Sequence, residues 1–319
     1  MSIIADALQP FIPNSVLNAS GPIEKTAASD MLILGRAGYN VTYNPDDSFL
    51  LDFQVADPII HALSCDCSRF TCAAFQSLGA FSAEQCSKIS LPWDLIKLYY
   101  AAFYAGHAIL RFIGQSCSYL SDSHVRRINA LLSATAPAPA PAIAVGLYHG
   151  RVAANSTQLH LRKVGARFGG SHEDFWRVFA LSMQEVSQGI LTGPLAEADA
   201  QQVFAKLDEL VGLLRHRGAY GRMSTIRNEL QYRHGYEGWL PSSMPKSHQA
   251  ELINLGCQWR LDPMGVRLSS GRLGDLGEFA SVCAFLVGLC RLLVQRVAER
   301  SAARSRSFLR VSALRMIQD

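Results

Sequence analysis

With 319 residues, 49% of them apolar and 18% charged, the chain is long and hydrophobic enough to bury a large core, which excludes an intrinsically disordered protein. The formal net charge of +4 is mild, and the basic side chains are nearly all arginine, lysine occurring only at Lys25, Lys88, Lys97, Lys163, Lys206 and Lys246; that suits phosphate contacts, and a coding bias toward arginine codons gives the same composition. No basic start followed by a sustained apolar core opens the chain, so a cytoplasmic protein without a membrane segment is expected, its eight cysteines reduced.

Residues 1–56 read as an N-terminal elaboration. Pro10, Pro13, Gly21, Pro22 and the run NPDD at 44–47 mark turns, and GYNVTYN with SFLLDFQV predicts a short hairpin around the last of them. From 57 the pattern turns helical: ADPIIHALS opens behind Asp57 and Pro58, as helices do, and SRFTCAAFQSLGAF follows. The run CDCSRFTC brings Cys65, Cys67 and Cys72 close together. Zinc sites pair such a knuckle with a second Cys/His pair at matching spacing, and none follows, so neither metal nor cofactor is expected.

The strongest helical signal is SLPWDLIKLYYAAFYAGHAILRFIG, 90–114. Ser90 stands at the cap, Pro92 in the first turn, and Leu95, Leu98, Tyr99, Ala102, Phe103, Gly106, Ile109, Leu110 and Ile113 recur at three- and four-residue steps. Such a stripe must pack on other helices. DSHVRRINALLSA adds a helix before the proline-rich TAPAPAPA. AIAVGLYHGRVAANSTQLHLRKVG alternates around central turn residues, predicting a small β-hairpin inserted around 142–165. SHEDFWRVFALSMQEVSQGIL is helical, with Ser171 as N-cap and Glu173 and Asp174 where the helix dipole favours them. LAEADAQQVFAKLDELVGLLRHRG is helical to a stop at Gly218.

The chain closes on LGDLGEFASVCAFLVGLCRLLVQRVAERSAARSRSFLR, read as one long helix with an arginine-rich end. Its apolar run at 279–290 is halted by Arg291, too short to cross a bilayer and expected in the core. Arg291, Arg296, Arg300, Arg304, Arg306, Arg310 and Arg315 read either as an RNA-phosphate track or as a solvated helix end. The sum is a mainly α protein of about seven helices with two small β excursions.

Between the last two of these elements lies STIRNELQYRHGYEGWLP, 224–241, unusually dense in polar groups. On a continuous helix, Arg227 and His234 return to one face about 10.5 Å apart, with Gln231 between them and Asn228 beside Arg227. Gly235, Gly238 and Pro241 end that helix, and Trp239 reads as a packing anchor. A guanidinium, an amide and an imidazole offered to one groove are the groups that metal-free RNA cleavage requires. His titrates in the range where it can take a proton from a 2′-hydroxyl as that oxygen attacks the neighbouring phosphate. Arg holds the phosphate and the charge that builds on it. The product would carry a 2′,3′-cyclic phosphate.

RNELQYRH resembles the signature of the HEPN superfamily, an Arg, a polar residue and then a His after four to six intervening positions, and LPWDLIKLYYAAFYAGHAILRFIG resembles that family's early helix. The resemblance spans roughly 60–300. It implies an antiparallel helical bundle over 57–319, interrupted by the inserted hairpin. It also implies a metal-independent endoribonuclease acting as a regulated toxin or antiviral defence effector, with Arg227, Asn228 and His234 catalytic and Gln231 and Arg233 as weaker RNA contacts. Homodimers with facing motifs, RNA as substrate, and an antitoxin or defence-system partner protein are implied as well. His234, Gly235 and Tyr236 continue the motif as His-x-Tyr, which makes Tyr236 a candidate site of nucleotide modification; packing beside Trp239 is the other reading of that tyrosine. The alternative function is a HEPN-like binding or regulatory subunit that does not cleave.

Overall fold

The helix read at 90–114 lies at the centre of the computed structural model, which describes residues 2–21, 23–79, 90–135, 141–165, 171–215, 219–237, 239, 244–269 and 271–318. In chain order, α1 (Ile3–Leu8) and α2 (Asn14–Leu17) precede β1 (Tyr39–Tyr43) and β2 (Ser48–Phe53). Next come α3 (Asp57–Leu78), α4 (Leu91–Phe112), β3 (Gln115–Leu120), α5 (Asp122–Thr135), β4 (Gly146–Val152) and β5 (Gln158–Lys163). The chain continues through α6 (Ser171–Leu191), α7 (Glu197–Leu214), α8 (Arg222–Tyr232), α9 (Lys246–Cys257), α10 (Gly274–Arg300) and α11 (Ala313–Gln318). The protein is mainly helical with a small antiparallel sheet.

Helix α4 is buried almost all round, because its apolar residues occupy more than one stripe and α3, α6, α8 and α10 cover different sides of it. Ser90 occupies its N-cap position without a side-chain capping bond. Gly106 sits where α4 meets α6 so closely that a Cβ there would come within 2.9 Å of Phe175. The main core unites these helices with Ile4, Ala7 and Leu8 of α1, so the first helix of the N-terminal segment is part of the bundle.

The two hairpins expected as separate excursions form one sheet. Its order is β1-β2-β5-β4-β3, with β2 and β5 paired antiparallel from Ser48↔Arg162 to Asp52↔Gln158. Period-two alternation drives this joining. Phe49, Leu51 and Phe53 of β2 and Leu159 and Leu161 of β5 are all buried with Val125, Ile128 and Leu132 of α5 in a second core, so the two hairpins bury more surface together than apart. The fifth strand, β3, has no such alternation and is entered through Gly114, whose φ of +71° turns the chain out of α4.

A buried charge cluster ties bundle to sheet. Arg111, 1% exposed, donates to Asp66 Oδ2 of α3 at 3.2 Å, to Ser118 Oγ of β3 at 3.4 Å and to His107 Nδ1 at 3.0 Å. Cys65 and Cys67 are buried thiols on the same α3, and Cys72 is partly buried. Among the described residues no group of three or more Cys, His, Asp or Glu side chains is placed to hold a metal ion.

The closing helix is shorter than read: α10 stops at Arg300, a three-residue 3-10 turn follows at Arg304–Arg306, and α11 is separate. Ser301, extended at the C-cap, breaks the helix. By length and composition α10, 27 residues long, could cross a bilayer, which the twelve-residue reading missed; 83% of its most apolar window is nevertheless buried inside the fold, where it serves as a core helix. Several arginines in and after it are engaged by the protein. Arg291 donates to the carbonyls of Trp259, Arg260 and Leu261, Arg296 pairs with Asp6, and Arg310 donates to Ala298 O.

Candidate functional site

Helix α8 carries the motif, and its inward stripe is Met223, Ile226, Arg227 and Leu230. Arg227 therefore stands where the helical period calls for a core residue. It is 7% exposed, with its guanidinium carbon 5.6 Å from the ring centre of Tyr99 and 5.9 Å from those of Tyr100 and Tyr232. Nη1 donates to Gln231 Oε1 at 3.3 Å, one turn on. Nε is buried and has no hydrogen-bond partner among the described residues. No carboxylate among the described residues lies within ion-pair distance of this guanidinium, although Arg222 on the same helix is held by both Asp275 and Glu278 of α10.

The other motif residues are not gathered around it as the sequence implied. Helix α8 ends at Tyr232, and His234 follows in the left-handed region with φ 52°, so Arg227 and His234 do not share a helix face. His234 is exposed and lies against Trp239, ring centres 5.5 Å apart. Trp239 closes the turn: its indole donates to Leu230 O at 2.6 Å, satisfying one of the carbonyls a helix end leaves free, and its ring meets Trp93 edge-on at 5.6 Å. Gly235, expected to end the helix, lies beyond the end already made at Tyr232 and packs so near Glu229 that an added Cβ would lie 3.1 Å from its carboxylate. Stops expected at Gly218, Gly238 and Pro241 lie outside the described residues.

Asn228 points outward, exposed and a step round the helix from Arg227. Gln231 is brought to Arg227, whereas Arg233 is exposed and paired with Glu229 at 2.7 Å. Tyr236, with φ 62°, is half-buried against the main core. Burial, then the nearby Asp275 and Glu229, raise its hydroxyl above the ordinary phenol range.

Two residues that the sequence reading did not assign to the site share the Arg227 neighbourhood. Tyr232, 67% exposed, holds an aromatic face beside the guanidinium at the surface. His172, the second residue of α6, stacks on Phe103 at 4.2 Å and bonds through Nδ1 to Tyr99 Oη at 2.8 Å. Its pKa falls to about 4, because burial and then the charge of Arg227 penalise the imidazolium. Trp176 Nε1, which can only donate, points at Tyr99 Oη at 3.1 Å. Tyr99 Oη accepts there, and its own hydroxyl hydrogen has His172 Nδ1 as an acceptor at 2.8 Å when the imidazole carries its hydrogen on Nε2. No protein partner is found for that Nε2 among the described residues. No signal in the local sequence marks His172; only the packing of α4, α6 and α8 assembles it with Arg227.

A cavity of about 690 Å³ lies between the outer face of β4 and β5 and α6, lined by His149, Arg151, His160, Arg162, Lys163 and Arg177 among others. Arg151 and Arg162 are already paired there, with Glu185 at 2.6 Å and Asp46 at 2.7 Å. Comparison with family models, with curated proteins and with solved structures found no match to this chain.

Proposed function

We propose that this chain is a metal-independent endoribonuclease of HEPN type, a regulated toxin or antiviral defence effector. The observation that supports the reading is Arg227: a buried guanidinium with, among the described residues, no partner for its Nε and no carboxylate in ion-pair reach. A buried charge without a counter-charge is costly, and an anionic ligand relieves that cost. In the reaction, Arg227 holds the scissile phosphate and the charge developing on it. His234, exposed just past the helix end, exchanges the proton of the attacking 2′-hydroxyl. Cleavage leaves a 2′,3′-cyclic phosphate and a 5′-hydroxyl. A homodimer would set two such motifs in one cleft, which offers His234 an Arg227 other than its own. An antitoxin or defence-system partner would hold the activity in check.

A second reading is favoured by one feature, the end of α8 before His234, which takes the imidazole off the Arg227 face. On that reading the chain binds RNA without cleaving it, as a regulatory subunit. The deciding experiment incubates the purified chain with total RNA in EDTA and maps the ends. Cyclic or 3′-phosphate ends that disappear with His234→Ala support the nuclease. An absolute requirement for Mg²⁺ overturns the mechanism, and binding without cleavage selects the regulatory subunit.

A further inference from the structure

We propose that His172 and Arg227 together form a two-donor site for a single phosphodiester group, with the exposed ring of Tyr232 as the platform for an adjacent base. The inference rests on the RNA-directed reading above and assigns a binding residue outside its motif.

Three helices build the site. Tyr99 and Tyr100 of α4 lie between His172 from the start of α6 and Arg227 from the inward face of α8: His172 contacts the two tyrosine rings at 5.8 and 6.1 Å, Arg227 at 5.6 and 5.9 Å. The groups offered here are the His172 imidazole and the Arg227 guanidinium, the acceptor oxygen of Gln231 being already engaged by Arg227 Nη1. With Tyr99 giving its proton to His172 Nδ1, the arrangement that supplies that hydroxyl hydrogen with an acceptor, His172 carries its own hydrogen on Nε2 and offers a donor there. Arg227 keeps an unpartnered donor while nine-tenths buried. A site with donors, a full positive charge and no carboxylate in ion-pair reach among the described residues calls for an anion with several lone pairs, which a phosphodiester provides. A free inorganic anion would have no use for Tyr232, which leaves 67% of its surface exposed beside the guanidinium. A base stacked on that ring does, and such stacking tolerates any sequence.

The test is equilibrium binding of a fluorescein-labelled, mixed-sequence 2′-O-methyl RNA oligonucleotide, which cannot be cleaved by 2′-hydroxyl attack, followed by anisotropy at fixed salt. His172→Asn keeps an amide near Nδ1 for Tyr99 but loses the outward donor; His172→Gln places an amide N–H near Nε2. Asn is expected to weaken binding about 5- to 10-fold, the loss of one hydrogen bond, while Gln stays within about twofold of wild type. Tyr232→Ala is expected to weaken it about 5- to 10-fold, one lost stacking partner. Nitrogen-15 NMR of the histidines in the unmodified chain should report His172 protonated at Nε2 and not at Nδ1, a readout that needs no variant to fold. Equal binding by the Asn variant, no binding by wild type, or an Nδ1–H tautomer overturns the proposal. The two readings fail separately. RNA cleavage that His172→Asn leaves unchanged in KM and kcat removes this site and keeps the nuclease. His172-dependent binding with no cleavage of natural RNA keeps the site and removes the nuclease.

Discussion

Two buried arginines of this fold should respond in opposite ways to the same substitution. Arg111→Met removes a guanidinium that serves Asp66, Ser118 and His107 at once. Asp66, itself buried, is left with Arg69 as its remaining cation. Breaking a buried pair from one side typically costs about 3–5 kcal/mol, and the remaining Arg69, with the relief of Arg111's own buried and unpartnered Nε, places this site at about 3 kcal/mol. At roughly 2 cal/mol/K per residue, 319 residues give an unfolding entropy near 0.7 kcal/mol/K, so Tm should fall by roughly 4 °C. Arg227→Met loses one hydrogen bond to Gln231, worth about 1 kcal/mol, and ring contacts with three tyrosines, worth about 1 kcal/mol. It gains back about 1–3 kcal/mol because the buried, unpartnered Nε and its charge are gone. The terms cancel, and stability should stay within about 1 kcal/mol of wild type while RNA cleavage and binding are lost. Urea unfolding of both variants, beside the RNA assays, measures this directly. If Arg227→Met proves as destabilised as Arg111→Met, or if it retains RNA activity, Arg227 is a structural residue and the functional argument built on it fails.

Acid should weaken the fold well before its carboxylates titrate. His149 and His172 are held near 4 in the folded chain, chiefly by burial and then by Arg151 and Arg227 respectively, whereas unfolded histidines titrate near about 6.5. Between those values the unfolded chain binds more protons, so this contribution is fully present above about 6.5 and is lost as pH falls toward about 4. The urea midpoint should be lower at pH 5 than at pH 7.5, and an unchanged or higher midpoint at pH 5 contradicts the assignment. Asn228→Ala, on the exposed side of α8, should change cleavage by no more than about threefold, far less than the 10²–10⁴ expected for His234→Ala; equal losses would return Asn228 to the chemistry. Tyr236→Phe should leave stability and cleavage near wild type. If the residue is a control point, the variant escapes silencing by its partner and carries no nucleotide mass there; silencing that survives the substitution assigns Tyr236 to packing alone.

Local pattern was enough for most of the helices and for both hairpins, because a 3.6-residue or two-residue apolar period is a property of neighbouring residues and survives without knowledge of the fold. The stripe from Leu95 to Ile113 had to be a core helix, and the alternation in 48–53 and 158–163 had to give half-buried strands. Strand β3 escaped notice because its serines and single buried cysteine show no period; it is a strand only because Gly114 delivers it to the free edge of β4. The pairing of β2 with β5, more than a hundred residues apart, depends on a shared apolar face over α5 that no local window contains. The motif divides the same way. Its composition marks Arg227, but a helix continued through His234 does not allow for the left-handed backbone at His234 and Tyr236, a turn that Trp239 closes. That Arg227 is buried without a counter-charge, and that a histidine 55 positions earlier in the chain stands with it, are statements about desolvation and donor counting across three helices. Burial is collective, so only the tertiary structure could decide them.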